Sequence, residues 1–359
     1  MLKVLKILQG NRGIALLITL SITAILVAAA LEYNRRARFG VISTAAVRDR
    51  MTLSQMAASG VHVAIALLVK DKMESNFDSL QEDWANPEKI NEILQELAFE
   101  QGRLTVTISD EMSRIQVNAL VTFPDSRQFN VSQVLLWDRF LRYIGIEGEM
   151  QEDQDPVAIV NSVKDWLDSR DDDATTGLSG AEDSYYEDLD PPYSCRNGPI
   201  PDLNELLLIK GITPGLFYGS GEKPGLEKYM TVYGMSDTGG SGFTWPGRIN
   251  INTAQIPVLA ALLPPESADL APVLYEYRQQ LTEEKDLQNL SNAGWVKNIA
   301  GFSWLAVDSR LITTSSDVFR IVSEAVLNET QVTVVAVVQR LQNAKTGKWT
   351  CRILSRQTQ

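Results

Sequence analysis

A chain of 359 residues with 44% hydrophobic and 22% charged side chains carries enough apolar material for more than one core, which excludes a disordered or fibrous class. Its formal net charge of -12 is concentrated, because 13 acidic and 2 basic side chains lie between Glu152 and Asp190. That distribution argues against a nucleic-acid partner, which needs a basic surface, and for a cation or a basic protein patch.

The N-terminal stretch Ile14 to Leu31 runs for 18 residues without a charge, long enough to cross a bilayer as a helix. Lys3, Lys6 and Arg12 precede it and favour keeping that end in the cytoplasm, with everything from Glu32 onward on the other side. Three fates compete for this terminus. A secretory signal would be cut after the small residues Ala28 to Ala30, a plain anchor would stay whole, and processing between Gly13 and Ile14 would leave the apolar helix on the mature chain.

Beyond the membrane, Leu53, Ala57, Val61, Ile65 and Leu68 continue a helical stripe, with His62, the single histidine, beside it. Asn86-Pro87 opens a second helix whose expected buried face is Ile90, Ile93, Leu94 and Leu97. After Gly102 the period becomes two. Leu104, Val106 and Ile108, then Ile115, Val117 and Ala119, read as a hairpin turning at Asp110 to Ser113. Val134, Trp137, Leu141 and Ile144 form a further helical stripe stopped by Gly145, and Asp155-Pro156 opens a helix carrying Val160, Val163 and Leu167. The Gly-, Pro- and Ser-rich text from Ile212 to Gly247 reads as a long irregular loop. Strand text returns at Val318 to Val326, Val332 to Val338, and Trp349, Cys351, Ile353. The expected architecture is α+β: a long N-terminal helix, an antiparallel sheet built from both ends of the chain, and a mostly helical insertion.

Chemistry-bearing motifs are few. Neither GxSxG, Walker A nor HExxH occurs, and one histidine gives no support to a catalytic triad. Cys195 and Cys351 fit either a long-range disulfide or two unpaired thiols. Leu203 to Gly215 and Ile249 to Pro264 have the outline of a helix-hairpin-helix. Only Lys210 and Arg248 would face a phosphate there, so a protein-facing or structural role fits better. The acidic segment Asp165 to Tyr193 is the strongest local signal. Its carboxylates flank an oxygen-rich loop, Thr175 to Gly180, of the kind a hard cation takes, although the EF-hand spacing is missing. Trp166, Tyr185, Tyr186 and Tyr193 point to an ordered, packed loop.

Several stretches carry a family resemblance. Arg12-Gly13-Ile14-Ala15-Leu16-Leu17 resembles the prepilin-type leader of type IV pilins and type II secretion pseudopilins. Those families mostly carry Glu at the fifth mature position, which here is Ile18, and the minor pseudopilin family K characteristically lacks that Glu. Asp165-Trp166-Leu167-Asp168, Gly180 to Tyr186, Pro192-Tyr193, Asn197, Asp202 to Leu206, Lys210-Gly211-Ile212 and Gly247 to Ala254 are similar to that same family, in the expected order.

The resemblance implies a non-enzymatic minor pseudopilin of the type II secretion system. It would be held in the inner membrane with a cytoplasmic N terminus and a periplasmic body, and would assemble with minor pseudopilins I and J at the tip of the pseudopilus to support export. The prepilin peptidase would process it at Gly13 and Ile14, and the inner-membrane secretion platform would be a further partner. The chain would divide into a leader (1–13), a transmembrane part (14–31), a first pilin-like part (32–125), an inserted helical domain (126–312) and C-terminal strands (313–359). Calcium is the implied cofactor, with Asp168, Asp171, Asp173, Glu182, Asp183 and Asp190 as candidate ligands; Arg170 stands where an acidic residue is more usual. Ile18 lacks the acidic group that pairs with a neighbour's N-terminal ammonium, which suits a first or topmost subunit. Two other readings explain parts of the same text. One is a membrane-anchored calcium-binding surface or adhesion protein, and the other a metal-dependent hydrolase using Asp168 and Glu182.

Overall fold

The computed structural model describes residues 11–97, 99, 101–124, 126, 128–145, 155–169, 175–221, 223–239, 242–281 and 284–359. Helix α1, Asn11–Glu74, is uninterrupted over 64 residues, roughly 96 Å at 1.5 Å per residue. Its N-terminal half is exposed along the described residues. Among the described residues it is the one helix apolar and long enough to cross a membrane, with a best window of mean hydropathy 2.7 that is wholly exposed. Thr19 and Thr23 turn their hydroxyls back onto the carbonyls of Leu16 and Leu20, both at 2.9 Å, so neither is left unpaired in an apolar medium.

From Leu53 onward α1 lies on a four-stranded antiparallel sheet. Its strands are β1 (Arg103–Asp110), β2 (Val318–Leu327), β3 (Thr330–Gln342) and β4 (Trp349–Thr358), in the order β1-β2-β3-β4. The register runs from Arg103↔Val326 to Asp110↔Phe319, then from Val318↔Gln339 to Leu327↔Thr330, with a bulge between Val337 and Val338 where β4 joins β3. Alternation decides which face is inward. Leu104, Val106 and Ile108 of β1, Ile321 of β2, and Val334, Ala336 and Val338 of β3 meet Leu53, Met56, Ala57, Val61, Ala64 and Leu68 of α1. The helix gets this close because residue 60 is glycine: a Cβ there would lie 2.2 Å from Ser323 Oγ and 2.8 Å from Val106 Cγ2.

Helix α2, Pro87–Glu96, begins as read, with Asn86 Oδ1 accepting from the amides of Glu88 and Lys89. Its buried face is Ile90 and Leu94, with Ile93 packed at the edge. Leu97 is exposed, because the helix ends at Glu96 before that position can turn inward.

The expected hairpin does not form. β1 pairs with β2, more than 200 residues away in sequence, and after Asp110 the chain leaves the sheet through a 3-10 turn at Glu111–Ser113. Ile115–Gln116 pairs in parallel with Met230–Thr231, and Val117–Leu120 is 3-10 helix. Residues 115–121 are buried in succession rather than alternately, because this segment threads a second core and has no solvent face.

That second core extends from Ile115 to Ile312, with Phe77 added from the link after α1. Helix α3, Val131–Tyr143, contributes Leu136, Trp137, Phe140 and Leu141. Helix α4, Pro156–Leu167, starts where Asp155 accepts from Val157 N and buries Val160, Val163 and Leu167 as read. α3 packs chiefly on the helix Ile256–Leu262, whose residues Val258 to Leu262 are all buried. The stretch from Ile212 to Gly247 is less irregular than its composition implies. It holds the helices Pro214–Tyr218 and Leu226–Tyr229 and a small hairpin, Ser236–Gly239 with Gly242–Thr244.

Candidate functional site

Three features stand out: the bare end of α1, the acidic segment, and the seam where the two cores meet. Gly13, Ile14 and Ile18 lie on α1 as one continuous helix, with Ile14 and Ile18 exposed and open space around Gly13. Residues 1–10 of the expected leader lie outside the described residues.

The acidic segment is organised around Asp165, at the end of α4 and fully buried. Its carboxylate accepts from Thr176 N at 3.0–3.1 Å and Ala181 N at 3.0 Å, closing the loop 175–181 over it. Gly180 is required there, since a Cβ would fall 2.0 Å from Asp165 Oδ2. Burial pushes the Asp165 carboxyl up, and the hydroxyl and amide donors oppose it. Lys164 Nζ reaches Asp168 Oδ2 at 3.0 Å and Thr176 Oγ1 at 2.8 Å, so the loop is fastened on both flanks.

Of the candidate ligands, Asp168 and Glu182 are buried, Asp183 is half-buried with Oδ1 accepting from Cys195 N at 2.5 Å, and Asp190 is exposed. Asp171 and Asp173 lie outside the described residues, as does Arg170. Asp168 and Glu182 bracket that gap and offer hard carboxylate oxygens, the donor type calcium takes.

The aromatic residues of the segment pack as the sequence implied. Trp166 and Tyr186 meet edge-on at 5.0 Å, and Tyr193 joins both. The turn once read as a helix-hairpin-helix buttresses them. Glu205, in the 3-10 helix Leu203–Leu208, accepts from Trp166 Nε1 at 2.9 Å and pairs with Arg196. Tyr193 donates to Leu208 O at 2.8 Å, and the Lys210 ammonium lies 5.0 Å from the Tyr185 ring centre. Residues Asp202 to Leu206 and Lys210 to Ile212 therefore hold the acidic loop from behind.

The two cysteines are free thiols in different cores, Cys195 in the second and Cys351 beside the first. Burial pushes the Cys195 thiol up to about 12 and Cys351 up to about 11, so both stay protonated and unreactive at neutral pH.

The stretch Ile249 to Thr253 fastens the second core to the sheet. Asn250 Nδ2 donates to Asp78 O, Asp110 Oδ2 and Ser316 Oγ at 3.0–3.1 Å. Asn252 Nδ2 reaches Leu290 O at 3.0 Å while its Oδ1 accepts from Trp295 Nε1 at 2.9 Å. Thr253 Oγ1 donates to Asp110 Oδ2 at 2.6 Å. Arg278 donates to Ile251 O at 2.7 Å and also to Ala254 O; burial lowers its guanidinium to about 10, still charged at neutral pH. Next to this lies a buried ion group that sequence reading missed. Arg340 bridges Asp71, at 2.9 Å, and Asp78, at 2.5 Å. Its one signal was a charged residue on the inward face of an otherwise apolar strand.

Known proteins share this layout. The family described as type II secretion system (T2SS), protein K, matches residues 113–223, which include the acidic segment and its buttress. Type II secretion system protein K of Klebsiella pneumoniae is 28% identical over 325 residues, covering 85% of this chain and 88% of the relative. The protein of that name from Pseudomonas aeruginosa is 24% identical over 345 residues, 94% of this chain and 91% of its own. The fold is similar to a chain in the crystal structure of the GspK-GspI-GspJ complex from the enterotoxigenic Escherichia coli type 2 secretion system. That match has a TM-score of 0.54 and 18% identity, over 88% of this chain and 99% of that one. With a long N-terminal helix on an antiparallel sheet, a helical body inserted between its strands, and matches along nearly the whole length, this chain is similar to type II secretion system protein K in sequence and in fold.

Proposed function

We propose that the chain is a minor pseudopilin that assembles with minor pseudopilins I and J at the tip of the periplasmic pseudopilus and so supports export across the outer membrane. The observation that carries this reading is the geometry of α1. Its first half is an exposed apolar rod, and the folded body grips it only from Leu53 onward. About 33 Å of helix separates Leu31 from Leu53 at 1.5 Å per residue, which leaves room for neighbouring helices to bundle outside the bilayer. The apolar rod anchors the chain in the inner membrane. Lys3, Lys6 and Arg12 support a cytoplasmic N terminus, and the leader text supports processing by the prepilin peptidase between Gly13 and Ile14. The role is structural, and we assign the chain no catalytic step.

Calcium belongs to the same reading. Asp168, Glu182 and Asp183, with Asp171, Asp173 and Asp190, would hold it, and it would offset the repulsion among their carboxylates. Lys164 already shares Asp168, so calcium binding competes with or reorients that pair.

The test is to mix the body of this chain with the bodies of pseudopilins I and J from the same operon and follow complex formation by size-exclusion chromatography, alongside export in a deletion strain. The reading expects a ternary complex and export restored by the full chain. Export unaffected by the deletion, together with bodies that elute separately, would overturn it.

A further inference from the structure

The ion group at the seam holds more negative charge than its cations balance. Asp71, on the last turns of α1, and Asp78 and Glu82, on the link that follows, bring carboxylate oxygens within 4.8 Å of one another. Asp78 is fully buried, and Asp71 and Glu82 are partly so. Arg340 of β3 is the cation among them, with its guanidinium seated 4.6 Å from the centre of the Phe319 ring. Asp110, at the end of β1, and the exposed Asp317, just before β2, add two more carboxylates. Lys72 of α1 is the second cation and lies against the Trp349 ring of β4 at 5.7 Å. Cys351 of β4 faces Arg340 as a neutral thiol. The segment Asn250 to Thr253 supplies amides and a hydroxyl and no charge, while Glu111 is taken by Arg320 and Thr231. Among the described residues, five carboxylates thus face two cations.

Hydrogen bonding distinguishes these carboxylates. Asp78 takes Arg340 Nη2 on one oxygen and Ser316 N, at 2.7 Å, on the other, so it is the ion-pair partner proper. Glu82 accepts from Ser79 N at 2.7 Å and Trp84 Nε1 at 3.2 Å. Asp71 has one N–H from Arg340 and faces two other carboxylates. Like charges this close in a low-dielectric site do not all ionise.

We propose that the folded protein keeps a proton on Asp71 at this seam, and that losing it as the surroundings turn alkaline loosens the seat of the inserted body on the sheet. The titration agrees with the geometry. Burial first, then the charges of Glu82 and Asp78, push the Asp71 carboxyl up to about 8, against the pull of Arg340. Burial also pushes Asp110 up to about 6. An unfolded Asp releases its proton near 4. The folded state therefore binds the extra proton, and stability falls as pH rises from about 4 through about 8 and levels off above. Between pH 6 and pH 9 the unfolding equilibrium constant should rise on the order of tenfold or more.

The experiment uses the full chain in detergent and follows tryptophan fluorescence in urea at pH 6, 7, 8 and 9. Wild type should lose stability steadily across that range, and Asp71→Asn, which is neutral at every pH, should lose at least half of that slope. Glu82→Gln removes a competing charge and should move the loss to lower pH, so it serves if Asp71→Asn fails to fold. A flat wild-type profile, or slopes in the variants equal to wild type, would overturn the proposal.

Discussion

Replacing Gly60 with alanine adds one methyl group where α1 lies closest to the sheet. In a free helix that change is worth about 1 kcal/mol of stabilisation. Here the new carbon would fall 2.2 Å from Ser323 Oγ and 2.8 Å from Val106 Cγ2. Overfilling a packed core typically costs about 1–3 kcal/mol. Val106 is β-branched and fixed within β1, so it yields little, and the net effect should be a loss of about 1–2 kcal/mol. Ser323 provides the control. Its hydroxyl is fully buried with no hydrogen-bond partner among the described residues. Ser323→Ala alone should therefore be neutral or stabilising by up to about 1 kcal/mol. Combined with Gly60→Ala it removes the closer of the two contacts, so the double variant should be at least about 0.5 kcal/mol more stable than additivity allows. Urea unfolding of the full chain in detergent measures all four corners of this cycle. Gly60→Ala more stable than wild type, with no coupling to Ser323, would show that α1 does not press on the sheet as described.

Other expectations test the remaining features. Arg340→Met leaves Asp78 buried without its cation and should cost about 3–5 kcal/mol at neutral pH, read by the same unfolding assay; a loss under about 1 kcal/mol would mean the group is slack. Adding millimolar calcium should raise the melting temperature of the chain, and Asp168→Ala should abolish that rise; an unchanged melting temperature in wild type counts against calcium. Ile18→Glu should disturb assembly order or pilus length without affecting folding of the body, since Ile18 lies on the bare part of α1; unaltered pili would remove the argument from that position.

Much of the fold was legible because its signals are local. Asn86-Pro87 and Asp155-Pro156 start helices through caps within three residues, and the three C-terminal strands alternate along their own length. Ile115, Val117 and Ala119 misled for the converse reason. Their apparent alternation belongs to a segment buried on every side, and burial by distant chain leaves no local mark. The partner of β1 lies more than 200 residues away, and nothing near Leu104 or Ile108 announces it. The acidic segment was found by composition, but composition could not distinguish its members. Asp165 ties the loop down, Asp183 holds the amide of Cys195, and Asp168 pairs with Lys164. Arg340 left a mark as the charged residue on an apolar strand face, but its pairing with Asp78, 262 positions away, left none.

The N-terminal helix decides between a pseudopilin and an anchored or secreted protein, and the mass of the mature N terminus, isolated from cells that contain a prepilin peptidase, tests it most directly. A chain beginning with N-methylated Ile14 is the predicted result. A chain retaining Met1, or beginning at Leu31, would contradict it and return the protein to the anchored or secreted class.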